Sequence, residues 1–307
     1  MRIQYLLPFV LIALPQCRDD ATGDPDGGDG ETEIRGNQGS EGQEEDSDLI
    51  GSEDSWNYTT RDPSEIVDLG TYDGATLHDG TSGDPNAGND DCDASIVAIL
   101  RDFNQTHPDF EAYSGRAATT GLLESTLDED GKPVFRSGTG DRNGNGSETQ
   151  ITSEASFADW YHDRDGTNHT FIATLQLSEE DGELTFDSEA FFPIPSDQGF
   201  GAEFDNHPSQ NFLFTTEIHM TFVYRTGQTF SFRGDDDLWI FIDGRLALDL
   251  GGLHSRLEGS IDLDTLGLED GTKYKMEIFH AERHTNASNF RIDTNIECFE
   301  SPDIPVV

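Results

Sequence analysis

Hydrophobic and polar residues alternate in short runs over much of the chain, most clearly in residues 230–254, FSFRGDDDLWIFIDGRLALDLGGLH. Phe230 and Phe232 alternate with polar neighbours, residues 239–242 form an aromatic and β-branched run, and 246–250 alternate again. Each run predicts a short strand. Asp243-Gly244 between the second and third runs predicts a hairpin, because a type I′ turn needs positive φ at both central residues. Between the first and second runs, Gly234 is followed by Asp235, Asp236 and Asp237. Three adjacent carboxylates repel one another and disfavour strand. A solvated acidic turn is one reading. The position between two very apolar strands favours another, a bound Ca²⁺, since this hard cation prefers carboxylate and carbonyl oxygen.

The same patterning organises the rest. Residues 96–103 (IVAILRDF) read as a buried strand ending in a polar turn at 104–108. Residues 152–162 form the best helix candidate, with Ser153 as cap and Phe157, Trp160 and Tyr161 on one face, more in keeping with core than with a ligand platform. Strand-like runs follow at 170–177, 184–192, 211–216, 217–225, 260–263, 274–281 and 290–297, with Asp181-Gly182 and Asp270-Gly271 as turns. Many short strands with one or two helices predict a β-sandwich or jelly roll.

The N-terminal part differs. Residues 1–16 carry one positive charge at Arg2 and then an apolar run, which reads as a signal peptide too short to span a membrane. Cys17 directly after it resembles a lipoprotein lipobox with Leu14 at the −3 position, although Gln16 departs from that pattern; lipidation of Cys17 is the preferred reading over an incidental cysteine. Residues 17–54 are rich in Asp, Glu, Gly and Ser and predict a disordered acidic tether. Residues 55–91 are an intermediate lead-in able to supply a strand or two, the folded domain runs from 92 to 299, and 300–307 are a tail.

Composition narrows the partners. Among 307 residues, 62 acids against 18 bases give a formal charge of −44. That argues against nucleic acid, because phosphate binding needs a basic face. It also argues against electrostatic adhesion to anionic lipid. With Cys17 lipidated, Cys92 and Cys298 remain at the two ends of the folded region, and an even pair in an exported protein reads as a disulfide. Closing so long a loop is worth at most about 4–5 kcal/mol in the chain-entropy account. Asp141, Asn143 and Asn145 with Gly146 match the first half of an EF-hand-type loop, a second and weaker calcium candidate, but Thr152 stands where the bidentate Glu is expected.

RDFNQTHPDFE (101–111), FADWYHD (157–163), NFLFTTEIHMTFVY (211–224), the 230–254 block and AERHTNASNF (281–290) together resemble the fibro-slime domain, a relative of the PA14 β-sandwich. The resemblance covers about two-thirds of the chain. It implies an extracellular, non-catalytic module for adhesion, matrix or carbohydrate binding. In PA14-like adhesins two consecutive aspartates joined by a cis peptide hold Ca²⁺, which in turn holds sugar hydroxyls. Asp235 and Asp236 match that pair by position. Asn289 and Glu282 are the candidates for its partner loop, and His254 and His284 are candidate ligand contacts or, equally, structural histidines.

The expected function is therefore a calcium-supported carbohydrate-binding or adhesive surface module tethered by lipid, with nearby aromatics packing on the sugar ring. The alternative is a purely structural slime or outer-surface matrix protein without a soluble ligand. An enzyme is disfavoured: carboxylate pairs such as Glu282 and Asp236 arise by chance in so acidic a chain, and no Ser/His/Asp elbow, zinc signature or phosphate loop occurs.

Overall fold

A computed structural model describes residues 59, 61–78, 94–113, 115, 117–136, 150–285 and 287–302. The signal peptide, Cys17, the acidic tether, Cys92 and the loop of Asp141, Asn143 and Asn145 lie outside them. Chain order runs β1 (Val67–Tyr72), β2 (Leu77–His78), β3 (Ser95–Phe103), α1 (Glu154–Ala158), β4 (Asn168–Gln176), β5 (Ser178–Glu180), β6 (Glu183–Ser188) and β7 (Phe214–Val223). It continues β8 (Thr229–Gly234), β9 (Asp237–Ile242), β10 (Arg245–Leu250), β11 (Leu257–Asp262), β12 (Lys273–Glu282) and β13 (Phe290–Thr294).

Two sheets form a sandwich. An eight-stranded sheet is ordered β10-β9-β12-β7-β3-β4-β1-β2, and a five-stranded one β11-β8-β13-β6-β5. Alternation sends Ile96, Ala98, Leu100, Phe214, Ile218, Met220, Phe222, Leu238, Ile240 and Ile278 into the space between the sheets, against Phe186, Phe230, Phe232, Phe290 and Ile292. The opposite residues of the same large-sheet strands, Trp239, Phe241 and Phe279, join a second core with Phe110, Leu122, Leu123, Phe157, Trp160 and Tyr161. A layer of loop and short helix therefore covers the outer face of the large sheet. This is why residues 237–242 are buried without alternation.

The structure sharpens several expectations. The Asp243-Gly244 hairpin forms with φ of 51° and 68°. Ser153 caps α1, its hydroxyl accepting from Ser156 N at 3.0 Å, but the helix spans only five residues. Past its C-cap at Asp159, Asn168 donates its side-chain amide to the carbonyls of Asp159 and His162. The runs 211–216 and 217–225 merge into the single strand β7. β1, from before Cys92, pairs in parallel with β4 and buries Leu69 and Tyr72, so the sandwich begins earlier than position 92. Among the described residues no helix is long and apolar enough to cross a membrane.

Beneath the covering layer lies a charged cluster. Glu217, fully buried on β7, accepts from Arg101 Nη1 at 2.6 Å, from His219 Nε2 at 2.5 Å and from Lys132 Nζ. Arg101 also reaches Asp163 at 3.0 Å. Lys132 thereby anchors the 117–136 segment to the sheet, a buried charge with its counter-ion in place.

Candidate functional site

The acidic triplet lies where the chain crosses from one sheet to the other. β8 belongs to the small sheet and β9 to the large one, and only Asp235 and Asp236 separate them. The return crossing, from β12 in the large sheet to β13 in the small, runs beside it. Register fixes this neighbourhood: Phe290 pairs with Gly234, and Ala281 pairs with Asp237. Gly234 is required by close approach, since a Cβ there would stand 2.6 Å from Asn289 O.

The two crossings bring together four of the residues singled out from sequence. Asp235 Oδ1 accepts from Asn289 N at 2.6 Å, and its Oδ2 accepts from Asn289 Nδ2 at 2.9 Å. Asp236 Oδ2 accepts from Arg283 N at 3.1 Å. The Asp235–Asp236 peptide is cis. Glu282, 1% exposed at the end of β12, has an Oε2 with no hydrogen-bond partner among the described residues. Burial pushes the Asp235 carboxyl above its ordinary range, opposed by the two Asn289 donors. Burial drives Asp236 well up, opposed chiefly by the charge of Arg283. Glu282 is driven well up by burial and then by the charges of Asp236 and Asp235. Three carboxyl groups thus share one poorly hydrated place, where a proton or a cation stabilises them.

Asp235 and Asp236 line a solvent-open notch of about 280 Å³ with Leu253, His254, Ser255, His284 and Thr285. Both predicted histidines are therefore at the notch. His254 turns Nε2 to Leu250 O at 2.8 Å and Nδ1 to Ser255 O at 3.1 Å, so its ring is held by main chain. His284 is more open, with Nδ1 at 3.0 Å from Thr285 O and Nε2 at 3.7 Å from Glu111.

Two expectations need correction. Asp237 does not join the cluster at the notch. It is fully buried as the first residue of β9, where Oδ2 accepts from Arg283 Nε at 2.6 Å and Oδ1 from Gly252 N at 2.6 Å. With a counter-ion and a main-chain donor already in contact, it serves the scaffold. The aromatic platform is also missing there: among the described residues no Phe, Tyr or Trp lines the notch, and the aromatic side chains near it are committed to the two cores.

Arg283 is the residue that sequence reasoning missed. Its guanidinium is fully buried 4.6 Å over the Trp160 ring, and Nη1 donates to Asp109 O at 3.1 Å and Gln150 O at 2.7 Å. Gln150 Oε1 in turn accepts from Leu253 N at 2.7 Å, beside His254. One arginine thus ties the Asp pair, the covering layer and the 251–254 turn together. A separate trio, Asp128, Asp130 and His162, is the one His and acid group among the described residues whose ligand-type atoms all lie within 4.8 Å of one another. Both its acids are exposed, and such surface groups are common without an ion. The carboxylates at the notch are less tightly drawn, being held by the donors of Asn289 and Arg283.

Residues 201–299 match the PA14 domain, a span that contains Asp235, Asp236, Glu282 and Asn289. That stretch of the chain is similar to a PA14 domain. The chain is homologous to proteins of Dictyostelium discoideum: Protein psiN is 35% identical over 230 residues, covering 66% of this chain and 30% of psiN, and Protein psiC is 33% identical over 227 residues, covering 68% and 43%. The chain thus spans less than half the length of these relatives. Among solved structures, the "PA14 sugar-binding domain from RTX adhesin" aligns at 10% identity and a TM-score of 0.24, over 67% of this chain and 94% of that one. A superposition that loose leaves the fold to be read from the sheets themselves.

Proposed function

We propose that this chain is a non-catalytic surface-binding module in which Asp235, Asp236, Glu282 and Asn289 hold a calcium ion at the notch. Such an ion would supply hard electrostatic attraction for vicinal hydroxyl oxygens of a carbohydrate. The observation that carries this reading is Glu282: a carboxyl group 1% exposed, with one oxygen unpartnered among the described residues, beneath the notch and within reach of the charges of Asp236 and Asp235 that line it. A buried carboxylate in that state is costly unless something positive or protonated meets it. The chain's own residues orient the site. Asn289 steers Asp235, the Arg283 main-chain N–H steers Asp236, and Ser255, Thr285 and His284 add polar contacts around the opening.

Export, display at the outer surface through a lipid on Cys17, and a Cys92–Cys298 disulfide belong to the same reading. The donors already satisfying Asp235 favour one alternative, a matrix protein in which calcium only stiffens the crossings. Calorimetric titration with Ca²⁺, paired with a glycan array read with and without chelator, separates the two. Calcium uptake with chelator-sensitive glycan signal supports the module, while calcium-dependent melting without glycan signal supports the matrix protein. An absence of calcium heat would end the calcium reading altogether.

A further inference from the structure

His280 lies on β12, in the space between the sheets, and is fully buried. Its ring sits among Phe191, Phe214, Phe232 and Phe290, with centroids 6.1, 6.2, 6.4 and 5.2 Å away. A polar ring in an aromatic core is costly unless its nitrogens are partnered. Nε2 lies 2.8 Å from the carbonyl oxygen of Asp235, and Nδ1 lies 3.4 Å from Thr216 Oγ1. A carbonyl only accepts, so the ring must carry its proton on Nε2, leaving Nδ1 to accept from the Thr216 hydroxyl.

From this we infer that His280 is the positioning residue of the proposed calcium site: it draws the Asp235 carbonyl into the sandwich, so that the side chains of Asp235 and Asp236 are presented outward to the notch. The inference rests on the calcium reading above and adds to it a residue that touches neither ion nor ligand. The Asp235 carbonyl belongs to the peptide joining the two aspartates. Its direction governs how that peptide plane is turned, and therefore where both carboxylates point. Asn289 holds Asp235 from outside and Arg283 holds Asp236 from the side, while His280 grips this linking peptide from beneath. The aromatic packing that fixes the ring thus also fixes the geometry of a surface site.

Two measurements decide it on the full folded chain. Long-range proton–nitrogen NMR on the histidine rings reads the tautomer of wild-type His280 directly. A proton on Nε2, with that resonance shifting as calcium is added, supports the inference; a proton on Nδ1 overturns it, because Nε2 would then face a carbonyl as a second acceptor. Calcium calorimetry on wild type and His280→Met reads the consequence. The expected result is a dissociation constant raised tenfold or more in the variant. A purely structural histidine would lower the calcium-free melting temperature and leave the constant unchanged, which overturns the inference alone. If wild type gives no calcium heat, the underlying reading falls and this one with it. Should His280→Met fail to fold, the tautomer measurement still decides.

Discussion

Replacing Asp237 by Asn tests the assignment of that residue to the scaffold. Its carboxylate and Arg283 form an ion pair at 2.6 Å with both side chains completely buried. Asparagine keeps the shape and can still accept from Gly252 N, but its amide NH2 then faces Arg283 Nε, so the change removes the charge and the acceptor for the guanidinium together. Leaving one member of a buried pair uncompensated costs about 3–5 kcal/mol. For a domain of this size each kcal/mol moves the melting midpoint by about 2–4 °C, which gives an expected drop of about 6–20 °C. Scanning calorimetry in chelator measures it directly. A cycle with Arg283→Met should show a coupling of at least about 1 kcal/mol, because the double variant leaves no orphan charge. The calcium-induced rise in melting temperature should persist in Asp237→Asn and vanish in Asp236→Asn. A midpoint within about 1 °C of wild type, or loss of the calcium response in Asp237→Asn, would refute the reasoning.

Acidity offers another test. Burial pushes both Asp102 and Glu277 from their ordinary values of 3.8 and 4.5 up to about 7. A raised folded-state pKa means stability that is complete below the unfolded value and lost as pH climbs through 7; buried His219 and His280, lowered from 6.5 to about 4, act the opposite way only up to 6.5, so urea midpoints of the calcium-free chain should fall between pH 6.5 and pH 8. For Glu277 the contribution is on the order of 3 kcal/mol, and Glu277→Gln should flatten the curve; a wild-type midpoint that climbs over this range would contradict the assignment. Gly234→Ala places a methyl 2.6 Å from Asn289 O and should part the two crossings, weakening calcium uptake severalfold as read by calorimetry; an unchanged constant would count against the register described here. Saturating calcium at about a hundred times its dissociation constant should stabilise wild type by about 2.7 kcal/mol, reversed by chelator, and a null result in urea titration would exclude a folded-state site.

Much of the fold was legible because its signals are local. Short apolar or alternating runs marked most strands from β3 to β13, with β5 missed beside its turn, and Asp243-Gly244 named its own hairpin through the demand for positive φ. β1 was harder to see, since its parallel partner β4 lies a hundred residues away and nothing local announces the pairing. At the site, Asp235 and Asp236 stood out as an oddity between apolar strands, and the family resemblance brought Asn289 and Glu282 forward. What the chain's text could not convey is register. Placing Phe290 opposite Gly234 turns two distant loops into neighbours, sends Asp235 and Asp236 toward solvent and buries Asp237 against Arg283. Arg283 and His280 read as ordinary polar residues in sequence, because only the folded arrangement reveals an arginine over Trp160 and a histidine reaching into a peptide bond.

The passage of the chain from one layer to the other has a consequence for how this surface can change. The gap between stacked sheets is set by interior bulk, at about 10 Å. Both strips of backbone that frame the opening bridge that gap, so its width behaves like the jaws of a caliper whose screw is the bulk of Phe232 and Phe290. Exchanging those rings for smaller or larger apolar groups would retune what the opening admits while every residue facing the solvent stayed the same.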